Sequence, residues 1–352
     1  MDEWKDLREA DRQVPYARLD LKHRGVRARK FLSRPTLFFR FIHGGRINSI
    51  PVHYSIMMEL TAKEMEMLRS YLWQDAGGGD PTGVFFPDQT GKAVITAEED
   101  CVLSGIVPAM FLFEEEGCRL ERVPGAVDGS LCGAGSEIMT AVGPTASLFK
   151  VERTVLNILS RMSGIATMAQ EASRLAEEAS PGTRVAGTRK TTPGFHLFEK
   201  RALIDGGALP HRYDLSSLAM IKDNHLKALG EGAESIAAAV DMIRELRGPY
   251  MLIEVEVEDI SHGLAAVEAG ADIIMFDNMS PRKLKEASEK VREEAERLGR
   301  NLTLEASGGI TLENLAKYAP HVDVVSMGCL TQKALPKSFK MEYDSNIEIC
   351  ED

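Results

Sequence analysis

From residue 183 onward, short apolar runs alternate with longer stretches in which apolar residues recur at helical spacing. The short runs have the length of strands, and the stretch over residues 233–246 has the period of an amphipathic helix. The predicted strands cover residues 183–188, 218–223, 250–257, 272–278, 301–307 and 322–328. Strands and helices that alternate in this way form right-handed βαβ units and a parallel sheet. Six strands are too few for a regular eight-stranded barrel, so the pattern predicts an α/β fold with either an incomplete barrel or an open sheet.

The earlier part of the chain has a less regular pattern. Residues 84–150 mix short alternating runs with loops rich in Gly and Pro, which predicts a small domain that contains a sheet. Residues 148–179 hold apolar residues at helical spacing and no proline, which predicts a long helix, or two helices separated at Gly164. We therefore expect an N-terminal α/β domain over residues 57–150 and a second α/β domain over residues 151–334.

The first 56 residues differ in charge from the rest of the chain. They carry 12 Lys and Arg against 6 Asp and Glu, and they form neither a signal peptide nor a membrane span. Three interpretations remain open: a weak arm for nucleic acid or a membrane surface, a poorly packed and disordered extension, or a segment upstream of a translation start at Met57 or Met58. The last gains support from Thr61 and Glu64, because Thr followed three residues later by Glu is typical of a capped helix start.

Composition limits the class of protein. The 352 residues have a formal net charge of −11, which disfavours general binding to nucleic acid or to an anionic membrane. Five cysteines occur with no C-x-x-C pair and no metal-ligand spacing, so we expect reduced thiols in the cytoplasm and no structural disulfide. A local cluster of cations is informative in such a chain, because it lies against an acidic background.

Charged residues and glycines follow nearly every predicted strand. The carboxyl ends of parallel strands lie on one face of the sheet, where ligands bind. The residues that the strands bring to this face are Arg189, Lys190, Lys222, Glu256, Asp277, Ser307, Gly308, Gly309 and Gly328. We therefore expect a single binding site at this face.

The residue types at this face indicate the chemistry. Arg189, Lys190, His211, Arg212 and Lys222 supply enough positive charge to neutralise a polyanion. The stretch "ASGGIT" precedes a predicted helix, "LENLAKY", and offers backbone N–H groups and a helix N-terminus to a phosphate. The carboxylates of Glu256 and Asp277 could bind Mg²⁺, hold ribose hydroxyls or stabilise a cationic sugar carbon. Together these features suggest transfer of a phosphorylated sugar.

Three stretches carry a resemblance to a known family. They are "GTRKTTPGFHLFEKRALIDGGALPHRYDLSSLAMIKDNH", "IEVEVEDISHGLAAVEAGADIIMFDN" and "LEASGGITLENL" with "VDVVSMGCLTQ". Between residues 58 and 345 the chain resembles quinolinate phosphoribosyltransferase, the carboxylating nicotinate-nucleotide pyrophosphorylase. The resemblance implies an open, irregular α/β barrel of about six parallel strands and an N-terminal α/β sandwich-like domain, which the tail over residues 335–352 rejoins. It implies that quinolinate and phosphoribosyl pyrophosphate react with Mg²⁺ to give nicotinate mononucleotide, pyrophosphate and CO₂ on the route to NAD.

The matching motifs also imply roles for individual residues. The carboxylates of quinolinate and the phosphates of the second substrate would be bound by Arg189, Lys190, His211, Arg212 and Lys222. The 5′-phosphate loops would contain Ser307, Gly308, Gly309 and Gly328. Glu256 and Asp277 would hold the ribose and the Mg²⁺, directly or through water or substrate, and together with Lys190 and Lys222 they are the expected catalytic residues.

Arg153, in "VERTVLN", matches an arginine that enters the site of the neighbouring subunit. It lies at the start of the predicted long helix, where a cation is unfavourable unless it has another purpose. The resemblance therefore implies a homodimer, or an assembly of dimers, with shared sites. Two departures stand out: the family's early "GDxTT"-like motif is "GDPTG" here, with Gly83 in place of a hydroxyl residue, and the first 56 residues match nothing in the family.

Three alternatives to this function remain. The first is a related phosphoribosyltransferase that acts on nicotinate or another heteroaromatic acid without decarboxylation. The second is an inactive phosphosugar-binding or scaffold protein. The complete set of charged residues at the strand ends argues against this alternative. The third is a barrel aldolase in which Lys222 forms a Schiff base.

Overall fold

A computed structural model of the chain describes residues 37–43, 46–52, 59–230 and 232–344. Residues 1–54 and 55–352 form two separate compact units. In the first unit, β1 (Leu37–His43) and β2 (Arg46–Val52) pair as an antiparallel hairpin. The other residues of the predicted extension lie outside the described residues, as do Met57 and Met58, the predicted alternative start.

The N-terminal part of the second unit is built on an antiparallel sheet. Its strands are β3 (Thr90–Ala97), β4 (Cys101–Val102), β5 (Arg119–Arg122), β6 (Leu131–Cys132) and β7 (Glu137–Pro144), and its helices are α1 (Ala62–Ala76) and α2 (Ile106–Glu115). A four-stranded sheet has the order β14-β3-β7-β5, in which β14 (Phe339–Asp344) comes from the end of the chain, and β4 pairs with β6. The predicted helix start is confirmed, because the side chains of Thr61 and Glu64 form a reciprocal capping box at α1.

The long helix α3 (Thr145–Ala179) runs without interruption for 35 residues, so the predicted break at Gly164 is wrong. Gly164 serves packing instead. A Cβ atom at this position would collide with the backbone oxygen of Leu335, in the segment that leads back to β14. The glycine lets that segment cross α3 at close range. Because α3 contacts β3, β7 and β14 as well as the later strand Arg184–Ala186 and helix His196–Asp205, it joins the N-terminal part of the unit to the part that follows.

The second part of the unit is a barrel of six parallel strands. They are β8 (Arg184–Ala186), β9 (Ala219–Ile221), β10 (Ile253–Val257), β11 (Ile273–Asp277), β12 (Thr303–Ser307) and β13 (Val324–Ser326). The α-helices that connect or follow them are α4 (His196–Asp205), α5 (Asp223–Leu229), α6 (Ala233–Arg247), α7 (Ile260–Ala269), α8 (Pro281–Arg297) and α9 (Cys329–Gln332). The sheet order is β8-β13-β12-β11-β10-β9, which confirms the predicted open barrel of about six strands.

The barrel is open at one place. Beyond β8, an isolated parallel bridge joins Ala186 to Leu209, and no ladder joins this segment to β9 among the described residues. We call residues 210–218, between Leu209 and β9, the seam. Five strand pairs and one bridge therefore hold the barrel, which stays open between Leu209 and β9, and the seam is irregular backbone. Among the described helices, none combines the length and apolar character needed to cross a bilayer.

Gly164 gives a test of this packing. Alanine in place of glycine inside a helix normally stabilises the helix by about 1 kcal/mol. Gly164→Ala is expected to do the opposite and lower the free energy of unfolding by about 1–3 kcal/mol, because the new methyl group meets backbone rather than a movable side chain. Denaturant unfolding measures the change. Gly263→Ala in α7 is the control and should cost less, since the nearest atom there is a side-chain methyl of Val291. A stabilised Gly164→Ala protein would contradict the close crossing.

Candidate active site

A cavity of about 550 Å³ opens at the carboxyl ends of the barrel strands. It brings together eleven of the twelve residues predicted for the site: Arg189, Lys190, His211, Arg212, Lys222, Glu256, Asp277, Ser307, Gly308, Gly309 and Gly328. Arg153 is the exception, since it lies exposed on α3 and does not line the cavity. It is the ninth residue of α3, so the interpretation of Arg153 as a helix-start cation is wrong.

His211 lies on the seam above two buried carboxylates. Its Nε2 atom is 3.3 Å from Oε1 of Glu305 and 3.6 Å from Oε2 of Glu254, and both Glu side chains are almost fully buried. Neither oxygen of Glu254, nor Oε1 of Glu305, has an aligned hydrogen-bond partner in the described chain. The three groups therefore interact as charges. The backbone of His211 is in the left-handed region, with φ 55°, a conformation that a side chain other than Gly adopts at some cost.

This arrangement sets the charge of His211. Burial alone would lower the pKa of the imidazole, but the carboxylates of Glu254 and Glu305 outweigh burial and raise the pKa of His211 to about 9. Burial raises the pKa of Glu254 as well, and the facing imidazolium opposes that rise. At neutral pH, His211 is therefore a fixed cation in the wall of the cavity.

The loop after β8 places Arg189 and Lys190 at the exposed edge of the cavity. The backbone N–H of Lys190 donates to Oγ1 of Thr188 at 3.0 Å, and the buried Thr331 hydroxyl donates to the carbonyl of Lys190 at 2.6 Å. Gly328 leaves room for the Lys190 side chain, because a Cβ atom there would lie 2.9 Å from its Cδ. The loop backbone is held on both sides while its two cationic side chains face the cavity.

The same loop is tied to the long helix by Glu199 of α4. The Glu199 side chain is fully buried and accepts hydrogen bonds from the backbone N–H of Thr192 at 3.0 Å and from its hydroxyl at 2.9 Å. It also pairs with Arg161 of α3 at 2.7 Å. A buried ion pair fixes the geometry of its surroundings when the remaining lone pairs of its carboxylate also accept hydrogen bonds. The cationic loop is therefore anchored to the helix that joins both parts of the unit.

Two carboxylates face these cations from neighbouring strands. Glu256 is the penultimate residue of β10 and forms an ion pair with Lys222, which follows β9. Asp277 ends β11 and accepts a hydrogen bond from the Asn278 amide at 2.6 Å. In the register of the sheet Glu256 lies opposite Met275, two residues before Asp277, so both acids lie on the cavity side of the barrel.

The glycine loop after β12 differs from the predicted phosphate cradle in one respect. Gly308 and Gly309 have φ 90° and 65°, and a Cβ atom on Gly308 would collide with the Asn278 side chain, so small residues are needed here. The predicted α-helix over "LENLAKY" is wrong: the segment forms only 3₁₀ turns, Leu315–Lys317 and Ala319–His321. Pro320 lacks an N–H and stops a longer helix. Any phosphate bound here would rely on loop N–H groups rather than on a helix terminus.

Comparison with known proteins identifies the family. The description "Quinolinate phosphoribosyl transferase, N-terminal domain" matches residues 80–163, and the corresponding C-terminal domain matches residues 165–342. The chain belongs to the quinolinate phosphoribosyl transferase family. A probable carboxylating nicotinate-nucleotide pyrophosphorylase of Methanothermobacter thermautotrophicus is 37% identical over 281 residues, 79% of this chain and 98% of that protein. The carboxylating nicotinate-nucleotide pyrophosphorylase of Homo sapiens is 36% identical over 277 residues, 78% of this chain and 90% of that protein.

Solved structures agree with this assignment. NadC from Streptococcus pyogenes superposes with a TM-score of 0.74 at 30% identity, over 82% of this chain and 99% of that chain. The similarity to this family therefore extends over the open barrel and over the part that holds the antiparallel sheet.

The carboxylates suit a magnesium ion in this member of the family. Glu256 is already paired with Lys222, and Asp277 with Asn278, so the two acids leave few free oxygens. Mg²⁺ commonly binds through one or two carboxylates and completes its octahedron with water and substrate phosphates. The donor set therefore fits an ion that is shared with a phosphorylated substrate, and it does not form a closed protein cage.

Sequence reasoning missed several residues that shape the site. Asn278, Gln332 and Lys333 line the cavity, and Glu254 and Glu305 lie beneath His211. A signal for the two glutamates was present, because side chains two residues apart on a strand share a face. Glu254 must then face the same side as Glu256, and Glu305 the same side as Ser307.

The charge state of His211 can be measured directly. Because the pKa of His211 is raised above its ordinary value of 6.5, the cation and the stability it contributes are complete below about pH 6.5 and are lost as the pH rises through about 9. We expect ¹⁵N NMR of the histidine rings to show His211 still protonated at pH 8. Glu305→Gln should move its titration to lower pH by about one unit or more, since one of two opposing carboxylates is removed. An unchanged titration in Glu305→Gln would contradict the ion pair. Asp259→Asn, which changes the exposed partner of His262, is the matched control and should leave His211 unaffected.

Proposed function

We propose that the protein is a quinolinate phosphoribosyltransferase of NAD biosynthesis, which transfers phosphoribosyl from phosphoribosyl pyrophosphate to quinolinate with loss of CO₂. The observation that carries this proposal is the set of residues that line one cavity. Arg189, His211 and Arg212 suit a dianionic acceptor, and a carboxylate pair and a glycine loop in the same cavity suit a phosphorylated sugar. The named activity of the relatives agrees with it.

The acceptor is held by charge. Quinolinate carries two adjacent carboxylates, for which Arg189, His211 and Arg212 provide cations, and His211 and Arg212 are held in place before it arrives. Arg212 is restrained by contacts with the carbonyl of Leu218 at 3.3 Å and the sulfur of Met220 at 3.4 Å. Preorganised charge costs little reorganisation when the substrate binds, and it orients the ring nitrogen toward the sugar.

The donor is held at the other strand ends. The N–H groups of Gly308 and Gly309, with Ser307 and Gly328, bind the 5′-phosphate, and Glu256 and Asp277 hold the ribose. Lys190 and Lys222 stabilise the departing pyrophosphate while positive charge develops at C1 of the sugar, opposite the two carboxylates. Glu256 and Asp277 would hold Mg²⁺ through water or substrate, and the ion would supply further positive charge against the leaving group.

The second half of the reaction follows from the first. The ring nitrogen forms a bond to C1 as the bond to pyrophosphate breaks, and the nitrogen becomes quaternary. Its positive charge then stabilises the carbanion left when the adjacent carboxylate departs as CO₂, and this carbanion is protonated. No covalent enzyme intermediate is needed, and the protein contributes mainly the orientation of the ring.

The assay for this function is direct. The protein is incubated with quinolinate labelled in the 2-carboxylate, phosphoribosyl pyrophosphate and Mg²⁺, and one CO₂ is expected for each nicotinate mononucleotide. Nicotinate in place of quinolinate should give little product. Product from nicotinate with no CO₂ from quinolinate would indicate the related enzyme without decarboxylation, and borohydride trapping of a substrate on Lys222 would indicate an aldolase.

The lysines provide a quantitative test of the site. Lys190→Ala and Lys222→Ala should each lower kcat by roughly 10²-fold, as expected when a preorganised charge at the leaving group is lost. Lys290→Ala, which removes an exposed lysine paired with Glu286 on α8, is the control and should be silent. Near-normal turnover in either site variant would refute the assignment of the leaving-group contacts.

The exposed Arg153 supports a shared site in a homodimer or an assembly of dimers. Arg153 does not reach the cavity of its own chain, and its neighbour Thr154 contacts Asp75 near the end of α1. Trp73, two residues before Asp75, is 72% exposed, and Phe85 is 70% exposed. A second subunit would cover them and bring Arg153 to its site.

Subunit exchange tests this arrangement. Arg153→Ala and Lys222→Ala should each be inactive alone, and a mixture of the two should regain up to about a quarter of normal activity, because one hybrid site then holds both intact residues. Mass spectrometry confirms that exchange has occurred. Persistent inactivity after exchange, or an active monomer, would exclude the shared site.

The proposed location is the cytoplasm, with no nucleic-acid or membrane partner. It is supported by the net charge of −11 and by free thiols at Cys101, Cys118, Cys132 and Cys329. Cys350 lies outside the described residues.

A further inference from the structure

Lys200 on α4 is a fully buried lysine close to Arg189 and Arg212, two of the cations that line the cavity. Its ammonium donates one hydrogen bond to the backbone carbonyl of Thr188 at 2.9 Å and another to the backbone carbonyl of Pro210. Neither partner is a carboxylate. The neighbouring acid, Glu199, is engaged by Arg161 and by Thr192.

The two carbonyls belong to the two segments that carry the cations. Thr188 directly precedes Arg189 and Lys190, and Pro210 directly precedes His211 and Arg212. The strand-like bridge between these segments ends at Ala186 and Leu209, so beyond it the sheet no longer fixes their separation. A single side chain spans the gap that the sheet leaves open.

A buried ammonium in this place needs a reason. Burial disfavours its charge, and the nearby Arg189 and Arg212 repel it, so the pKa of Lys200 falls to about 8. An apolar residue would avoid both costs. An ammonium offers what an apolar residue cannot, namely several hydrogen-bond donors on one atom, which can bind carbonyls of two segments of the chain at once.

We propose that Lys200 is a positioning residue that sets the distance between the segment of Arg189 and Lys190 and the segment of His211 and Arg212. The two sets of cations are then spaced for an acceptor with two adjacent carboxylates, and an acceptor with one carboxylate gains little from the spacing. The expected preference for an acceptor with two carboxylates rests on the proposed function, whereas the expected position of the two segments does not.

The first measurement uses no substrate. Hydrogen exchange is followed by mass spectrometry in the full-length wild-type protein and in Lys200→Met, which keeps the length of the side chain without its donors. We expect exchange to rise several-fold in peptides that cover residues 188–192 and 210–213 and to remain unchanged in peptides of β10 to β12. Arg201→Met is the matched control, since Arg201 is the next residue on α4 and pairs with Glu64 of α1 instead. Unchanged exchange in the two segments of Lys200→Met would overturn the proposal.

The second measurement separates spacing from general damage. Calorimetry compares the binding of phthalate, a non-reacting aromatic acid with two adjacent carboxylates, with the binding of nicotinate, which has one. Lys200→Met should weaken phthalate by 10- to 100-fold and nicotinate by less than 3-fold, whereas Arg201→Met should alter neither by more than 3-fold. An equal loss for both ligands would overturn the proposal, because it would mean that spacing is not what Lys200 controls.

Two further experimental outcomes also decide the proposal. If Lys200→Met does not fold, Lys200→Gln, which keeps a shorter donor, should fold and should lose more phthalate binding than nicotinate binding. An equal loss of both ligands in Lys200→Gln would overturn the proposal. If the wild-type protein binds no phthalate, the proposed acceptor fails, and the exchange experiment still decides whether Lys200 holds the two segments.

Discussion

The structure depends on keeping like charges close together at one end of a barrel. Arg189, Lys190, His211, Arg212 and Lys222 all line one cavity in a chain whose formal net charge is −11. Each repels its neighbours, so the cluster exists only because the surrounding fold opposes that repulsion. The opposing groups are mostly hidden: Glu254 and Glu305 lie under His211, Glu256 lies beside Lys222, and backbone carbonyls surround Lys200. The anionic ligand completes a charge balance that the protein leaves incomplete.

The rest of the fold can be understood as the support for that cluster. The strands bring residues far apart in sequence to one rim, and α3 with its Arg161–Glu199 pair anchors the loop that carries two of the cations. The final strand, β14, pairs with β3, and the segment before it crosses α3 at Gly164. The segment of residues 335–344 is thus packed against the same helix that anchors the site.

Much of this was predictable, and the remainder was not for identifiable reasons. The period of the apolar runs located all six barrel strands, and the charged residues at their ends located the cavity. The prediction of a helix break at Gly164 was wrong because a helix pattern alone cannot distinguish a glycine that breaks a helix from a glycine that lets another segment cross at close range. The segment after Gly309 misled because its apolar spacing resembles that of a helix, while Pro320 limits it to 3₁₀ turns. Lys200 carried no signal, since its partners are backbone carbonyls that become neighbours only when the barrel forms.

The seam separates the site into two parts with different freedom to change. Lys222, Glu256, Asp277, Ser307 and Gly328 lie at or just after the carboxyl ends of five strands that are consecutive neighbours in the sheet, so the ladders fix the strand ends that carry them. His211 and Arg212 lie on backbone that belongs to no ladder between Leu209 and β9. That stretch can lengthen, shorten or change sequence while every strand keeps its partner. Within this architecture the part of the acceptor site that His211 and Arg212 form can change without altering a strand pair, while the strand ends that carry Glu256, Asp277 and Ser307 stay in register.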